Sequence, residues 1–216
     1  MEIWFSVFWV ISLTSHATGQ AIEPIWQPPA IGADELPRAT VSKELVTSLR
    51  VGGMRIVLEE TPLEAVQARF RGVVGHSGDA GDSVAWLCLH GKDPQGSWVL
   101  WLLSGEIHAR YVGGFQMQRI GFGTAVDSRC TSLKTKTGAV EIPARLRLGM
   151  SKTELVRALG GPSDTADGDV WRYVHTHMTA GAAGATAPVF DSTNTISILF
   201  RDDRVRAFRV WKTTTS

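Results

Sequence analysis

The chain has almost no net charge, few cysteines and no apolar run long enough to cross a bilayer. Its 216 residues hold 22 Lys and Arg against 21 Asp and Glu, a formal charge of +1. No strong field therefore draws it to nucleic acid or to an anionic membrane. Two cysteines are too few for a zinc ribbon or a disulfide-dense miniature scaffold. They form no Cys-x-x-Cys motif, and neither stands beside residues that mark a thiol of low pKa. Gly75-His76-Ser77-Gly78 is not the Gly-x-Ser-x-Gly elbow of hydrolases. Gly113-Gly114 and Gly121 to Gly123 do not form a phosphate-cradling loop, and no twelve-residue calcium loop is present. What remains is ordinary globular composition, 44% hydrophobic and 20% charged, enough to bury a core.

The N-terminus points to export. Ile3 to Leu13 is an apolar run of eleven, the length of a signal-peptide core and well short of the roughly 20 residues of a membrane helix. Ala17 and Gly19 then stand at the −3 and −1 positions of a cut before Gln20, which predicts a signal peptide over 1–19, no transmembrane segment in the mature chain and a periplasmic or secreted protein. In an oxidising compartment the even cysteine count favours one bridge, Cys88 to Cys130. The alternative is two separate buried thiols.

Residues 20–40, with Pro24, Pro28, Pro29 and Pro37, read as an extended leader. Thr61-Pro62-Leu63-Glu64 predicts a helix start capped by Thr61. Leu63, Val66 and Phe70 continue it, and Gly72 stops it. Ser83 to His90, Trp98 to Leu103 and Ile107 to Val112 follow as three strands of a meander. The order recurs after residue 144. Ser151-Lys152-Thr153-Glu154 is a capping box, Leu155, Val156 and Leu159 give an apolar side, and Gly160-Gly161-Pro162 ends the helix. Strands are then predicted at Val170 to Met178, Ile196 to Phe200 and Val205 to Trp211, with the Ala/Gly/Thr-rich Thr179 to Thr195 as a flexible connection. Thr61 aligns with Ser151, Glu64 with Glu154, Val66 with Val156 and Trp86 with Trp171. The fold expected is α+β: two tandem units of helix packed on an antiparallel meander, over 41–122 and 144–216, joined by a linker over 123–143.

Leu148-Gly149-Met150-Ser151 through Leu159-Gly160-Gly161-Pro162, followed by Trp171-Arg172-Tyr173, resembles the SmpA/OmlA/BamE family of small outer-membrane-assembly proteins. The tandem arrangement also resembles beta-lactamase inhibitor protein. The chain departs from the lipoproteins in having no cysteine at the cleavage site, and its first unit has Glu59-Glu60 where the second has Gly149-Met150. The resemblance implies a small helix-on-sheet fold and a non-enzymatic role, binding another envelope or secreted protein in assembly or maintenance of the envelope, or inhibiting a secreted or periplasmic enzyme. No cofactor is expected.

Two sets of residues are candidates for a site. Trp171, Tyr173 and His175 alternate on one strand face, with Trp211 as a neighbour, and rigid rings suit a protein interface; the competing reading puts Trp171 and Tyr173 under the helix. His175-x-His177 places two imidazoles on one side of a strand, which leaves a metal-binding protein or metal-dependent enzyme as the alternative function. Asp79, Asp82, Asp167 and Asp169 flank glycines and are explained by turn chemistry. Intact-mass measurement on exported protein is expected to show a chain starting at Gln20, lighter than its reduced form by the two hydrogens of one bridge; a species retaining Met1 rejects the cleavage, and an unchanged mass on reduction rejects the bridge.

Overall fold

The computed structural model describes residues 24–31, 41, 46–79, 83–108, 110–121, 123–134, 140–179 and 190–215. The signal segment expected at 1–19, the expected cut before Gln20, and Asp82 lie outside them. Ser48–Val51 (β1) and Met54–Val57 (β2) form a hairpin through Gly52-Gly53. Leu63–Phe70 (α1) leads to Val74–Ser77 (β3), Val84–Asp93 (β4), Gly96–Gly105 (β5) and, past a single 3-10 turn at Glu106–His108, Gly114–Arg119 (β6). Two-residue strands follow at Thr131–Ser132 (β7) and Val140–Glu141 (β8). Lys152–Leu159 (α2), Asp164–Asp167 (β9), Val170–Thr179 (β10), Phe190–Arg201 (β11) and Arg204–Thr215 (β12) complete the chain.

Strand is 52% of the structure and helix 14%, which overturns the expected α+β tandem. Nine strands form one sheet in the order β3-β4-β5-β6-β12-β11-β10-β9, with β7 beside β4, and β2-β1-β8 form a second, small one. The large sheet is antiparallel except where β7 runs parallel to β4. The two halves of the chain do not build separate sheets, because β12 pairs with β6 from Ala207↔Gln118 to Trp211↔Gly114. The matched valines also differ in environment: Val66 is buried, whereas Val156 is exposed.

Local chemistry explains most elements. Ser151 and Glu154 make the full capping box of α2, Ser151 N donating to Glu154 Oε2 at 2.8 Å and Glu154 N to Ser151 Oγ at 3.2 Å. At α1 the cap position falls instead on Pro62, which makes no side-chain cap, while Thr61 Oγ1 accepts from Val57 N at 2.9 Å. The helix ends with Arg71, not Gly72, in the left-handed region at φ 56°. The strand expected at Ile107 to Val112 is a 3-10 turn and a bridge, and the third strand of the meander starts at Gly114.

Along β11 the residues Asn194, Ile196, Ile198 and Phe200 are buried while Thr193, Thr195, Ser197 and Leu199 are half-exposed, a period-2 strand whose polar phase hides it in a Thr-rich composition. Cross-strand partners share a face, so the rows of the sheet can be followed from register. The front face, carrying Leu87, Leu89, Trp98, Leu100, Leu102, Phe115, Tyr173, Ile196, Ile198 and Phe208, joins Leu49, Val51 and Ile56 of the small sheet and Leu63, Val66 and Leu155 of the helices in one core.

Gly114 is required where the halves join: a Cβ there would strike the Trp211 ring and the Val210 carbonyl oxygen. Gly149, at φ +81°, sits under the Gln95 side chain of the β4–β5 turn, while its N–H donates to Val205 O at 2.8 Å. Because the obstruction at Gly114 includes backbone, Gly114→Ala is expected to lose about 1–3 kcal/mol, measured by urea unfolding. Wild-type stability in that variant would show that the β6–β12 pairing has slack the structure does not have.

Candidate functional site

Register places the predicted site residues on two different faces. Tyr173 pairs with Ile196 and Ile196 with Val210, all buried on the front. Trp171 packs against Phe200, ring centroids 5.0 Å apart, under Lys152, whose Nζ lies 5.6 Å from the Trp171 centroid. Tyr173 is fully buried and its hydroxyl donates to Gly160 O at 3.3 Å; burial pushes the phenol's pKa up. The face is therefore the one α2 covers, as in the competing reading. His175 is half-buried with Nδ1 3.0 Å from Val41 O, and His177 is exposed. Among the described residues no three His, Cys, Asp or Glu gather as a metal group.

Trp211 lies on the opposite face, since its partner Thr195 pairs with Val174. Its ring rests on Gly105 and Gly114, with the His108 ring edge-on at 5.0 Å and the Arg209 guanidinium carbon 5.1 Å from its centroid. The four residues do not form one surface.

The back face instead builds a site that sequence reasoning passed over. Cys88 on β4 and Cys130 are bridged, with Cα atoms 4.6 Å apart, and this fastens the segment after β6 over Trp86, Val99, Trp101 and Leu103. The Pro-rich segment 24–31 lies on the same face. Ile25 N donates to Ala125 O at 3.0 Å and Asp127 N to Ile25 O at 3.1 Å. Trp101 Nε1 donates to Trp26 O at 2.9 Å, and Gln116 Nε2 to Pro29 O at 2.8 Å. The strap is thus stitched down through its backbone, while Ile25 and Trp26 also pack on the back-face core, Trp26 edge-on to Trp86 at 5.7 Å; a groove of about 670 Å³ runs between Pro24, Ile25, Trp26, Gln27 and Pro29 on one side and Gln118, Asp127 and Arg129 on the other.

Within the groove the Arg129 guanidinium carbon stands 4.3 Å over the Trp26 ring, while Nε and Nη2 each donate to Asp127 at 2.8 Å. Those hydrogen bonds hold the Asp127 carboxyl down to about 2, so it stays ionised through the neutral range. A guanidinium stacked on an indole is a cation–π contact, and tryptophan and arginine are both enriched among the residues that dominate protein interfaces. Trp26 stands between Pro24 and Pro28, and an aromatic amid prolines is the one sequence signal that could have found it; Arg129 carries none beyond its place next to Cys130.

No helix of the described residues is long and apolar enough to cross a membrane. Tyr173→Ala is expected to destabilise by about 3–5 kcal/mol, the cost of emptying an aromatic core position, whereas Tyr173→Phe loses only about 1 kcal/mol with its hydrogen bond. Denaturant unfolding of the pair decides; an unperturbed Ala variant would return Tyr173 to the surface. Comparison with protein-family models, with curated proteins and with solved structures finds no match to the chain.

Proposed function

We propose that the chain is a non-enzymatic, exported protein-binding module, periplasmic or secreted, that receives an extended segment of another envelope or secreted protein in the strap groove. The observation that carries this reading is Trp26 held half-buried beneath Arg129 in a groove one wall of which is fastened by a disulfide. Binding an extended chain costs less when the receiving surface is already ordered, and here both walls are: one by hydrogen bonds donated from Trp101 and Gln116 of the sheet, the other by Cys88–Cys130. A structural bridge supports an oxidising compartment, in keeping with the export signal expected at 1–19. The resemblance of Leu148 to Pro162 to the BamE family supports assembly or maintenance of the envelope as the setting.

Gln27 is exposed on the groove wall, and Val156 is exposed on α2 across the sheet. A photo-crosslinking amino acid at Gln27, irradiated in the native host, is expected to give a discrete adduct with one protein, and the same group at Val156 to give none. An absent adduct at Gln27, or the same pattern at both positions, rejects the reading.

A further inference from the structure

Four arginines meet at the end of the sheet where β11 turns into β12. Two of them are neutralised. Arg119 Nη1 lies 2.7 Å from Asp93 Oδ1, and Arg204 Nη1 lies 3.6 Å from Glu154 Oε2 and 3.4 Å from Gly149 O. Arg201 and Arg206 have no acidic partner among the described residues, although Asp202 and Asp203 form the adjacent turn. Asp203 turns to Lys152 at 3.5 Å, and Asp202 makes no ion pair with either arginine.

The position of Arg206 comes from a bulge. Leu199 pairs with Ala207 and Phe200 with Val205, so Arg206 is the extra residue, opposite nothing on β11. Bulges re-aim side chains in this way and recur beside functional sites. Arg201 in turn stands directly across from Arg204, a like-charge pair that sheets disfavour. Burial, and then the charges of Arg201 and Arg119, lower the Arg206 pKa from its usual value. The fold thus holds two uncompensated guanidinium groups together.

The pair adjoins the groove. Gln118, which lines it, is the β6 partner of Ala207, next to Arg206. Arg206 Nη2 lies 3.9 Å from where a Cβ on Gly121 would be, at the start of the segment leading to Asp127 and Arg129.

We propose that Arg201 and Arg206 anchor the carboxylates of an acidic segment of a protein partner as it leaves the strap groove. The inference rests on the groove being the partner site and adds the chemistry of what enters it. Charge complementarity selects the acidic end. The indole and amide lining of the groove selects a polypeptide, since a free anion would engage the arginines alone and leave the groove empty. A bidentate guanidinium–carboxylate contact supplies the recognition.

The test uses the full-length oxidised protein and a fluorescent octaglutamate peptide as probe, with octalysine, inorganic phosphate and phosphatidylglycerol vesicles as comparisons. Octaglutamate is expected to bind in a salt-sensitive manner, octalysine not to bind, and Arg201→Ala/Arg206→Ala to weaken octaglutamate about tenfold or more with an unchanged melting temperature. Arg201→Lys/Arg206→Lys, which keeps the charge without the fork, should fall between. Equal octaglutamate binding by wild type and the alanine variant overturns the proposal. Displacement of the peptide by phosphate at matched charge overturns it in favour of a simple anion site, and binding of vesicles but not peptide in favour of a membrane contact. A Gln27 adduct that persists undiminished in the alanine variant rejects the acidic anchor and leaves the groove reading intact, whereas loss of that adduct in wild type removes the groove reading itself.

Discussion

The pairing of β12 with β6 is the interaction on which the rest of the molecule depends. It joins segments about ninety residues apart by backbone hydrogen bonds, Gln118 to Ala207 at one end and Gly114 to Trp211 at the other, and makes one sheet of what would otherwise be two meanders. Secondary contacts follow from that register. The Glu59 carboxylate reaches across from the end of β2 to accept from Thr214 N and Thr214 Oγ1 at 2.7 Å, and meets Lys212 Nζ at 3.2 Å. Lys212 O in turn accepts from His108 Nε2. A slip of one residue would send Trp211 to the front core and Val210 to the back, reversing every side chain on the strand. The glycine at 114, obligatory beneath the indole, ties the register to the sequence.

A nine-stranded sheet has two faces to cover, and α1 and α2 are only eight residues each. The helices and the small sheet suffice for the front. On the back the chain uses irregular backbone, which must satisfy its own polar groups. The strap does so by borrowing donors from side chains of the sheet, Trp101 Nε1 and Gln116 Nε2, for the carbonyls of Trp26 and Pro29. The bridge closes a separation of 42 residues, a loop size for which a cross-link contributes roughly 2–4 kcal/mol through the unfolded chain. Back-face order is thus covalent as well as hydrogen-bonded.

Where one local interaction decides an element, the sequence could be read: the Ser151–Glu154 box, the strands at Trp86 and Trp101, and the Cys88–Cys130 pair are each present in the structure. Long-range strand pairing was not legible. Phe190–Arg201 becomes a strand because β10 and β12 flank it, although Ser192, Thr193, Asn194 and Thr195 look like linker. The same blindness misassigned the fold class, since helix-plus-meander order is equally compatible with two sheets or one. The four candidate site residues part company for a related reason. Alternation puts Trp171, Tyr173 and His175 together, but which side receives α2 depends on Leu155 reaching the front core and Gly160 meeting the Tyr173 hydroxyl. Trp26 and Arg129 are far apart in the chain, as are Arg119 and Arg206, and each pair meets only once the sheet is closed.

A nearly neutral chain can still concentrate charge of one sign. Several ionic groups here are paired close to home: Arg129 with Asp127, Arg147 with Glu154, Arg172 with Asp164. Against that background, an arginine displaced by a bulge into the neighbourhood of two others departs from local consistency. Departures of this kind gather at functional positions, with stability supplied elsewhere in the fold. Here it is supplied by Phe200, Val205 and Phe208, buried in the front core on either side of the irregularity. The bulged turn can carry uncompensated cations because the apolar residues flanking it hold the strands in register without help from the charges.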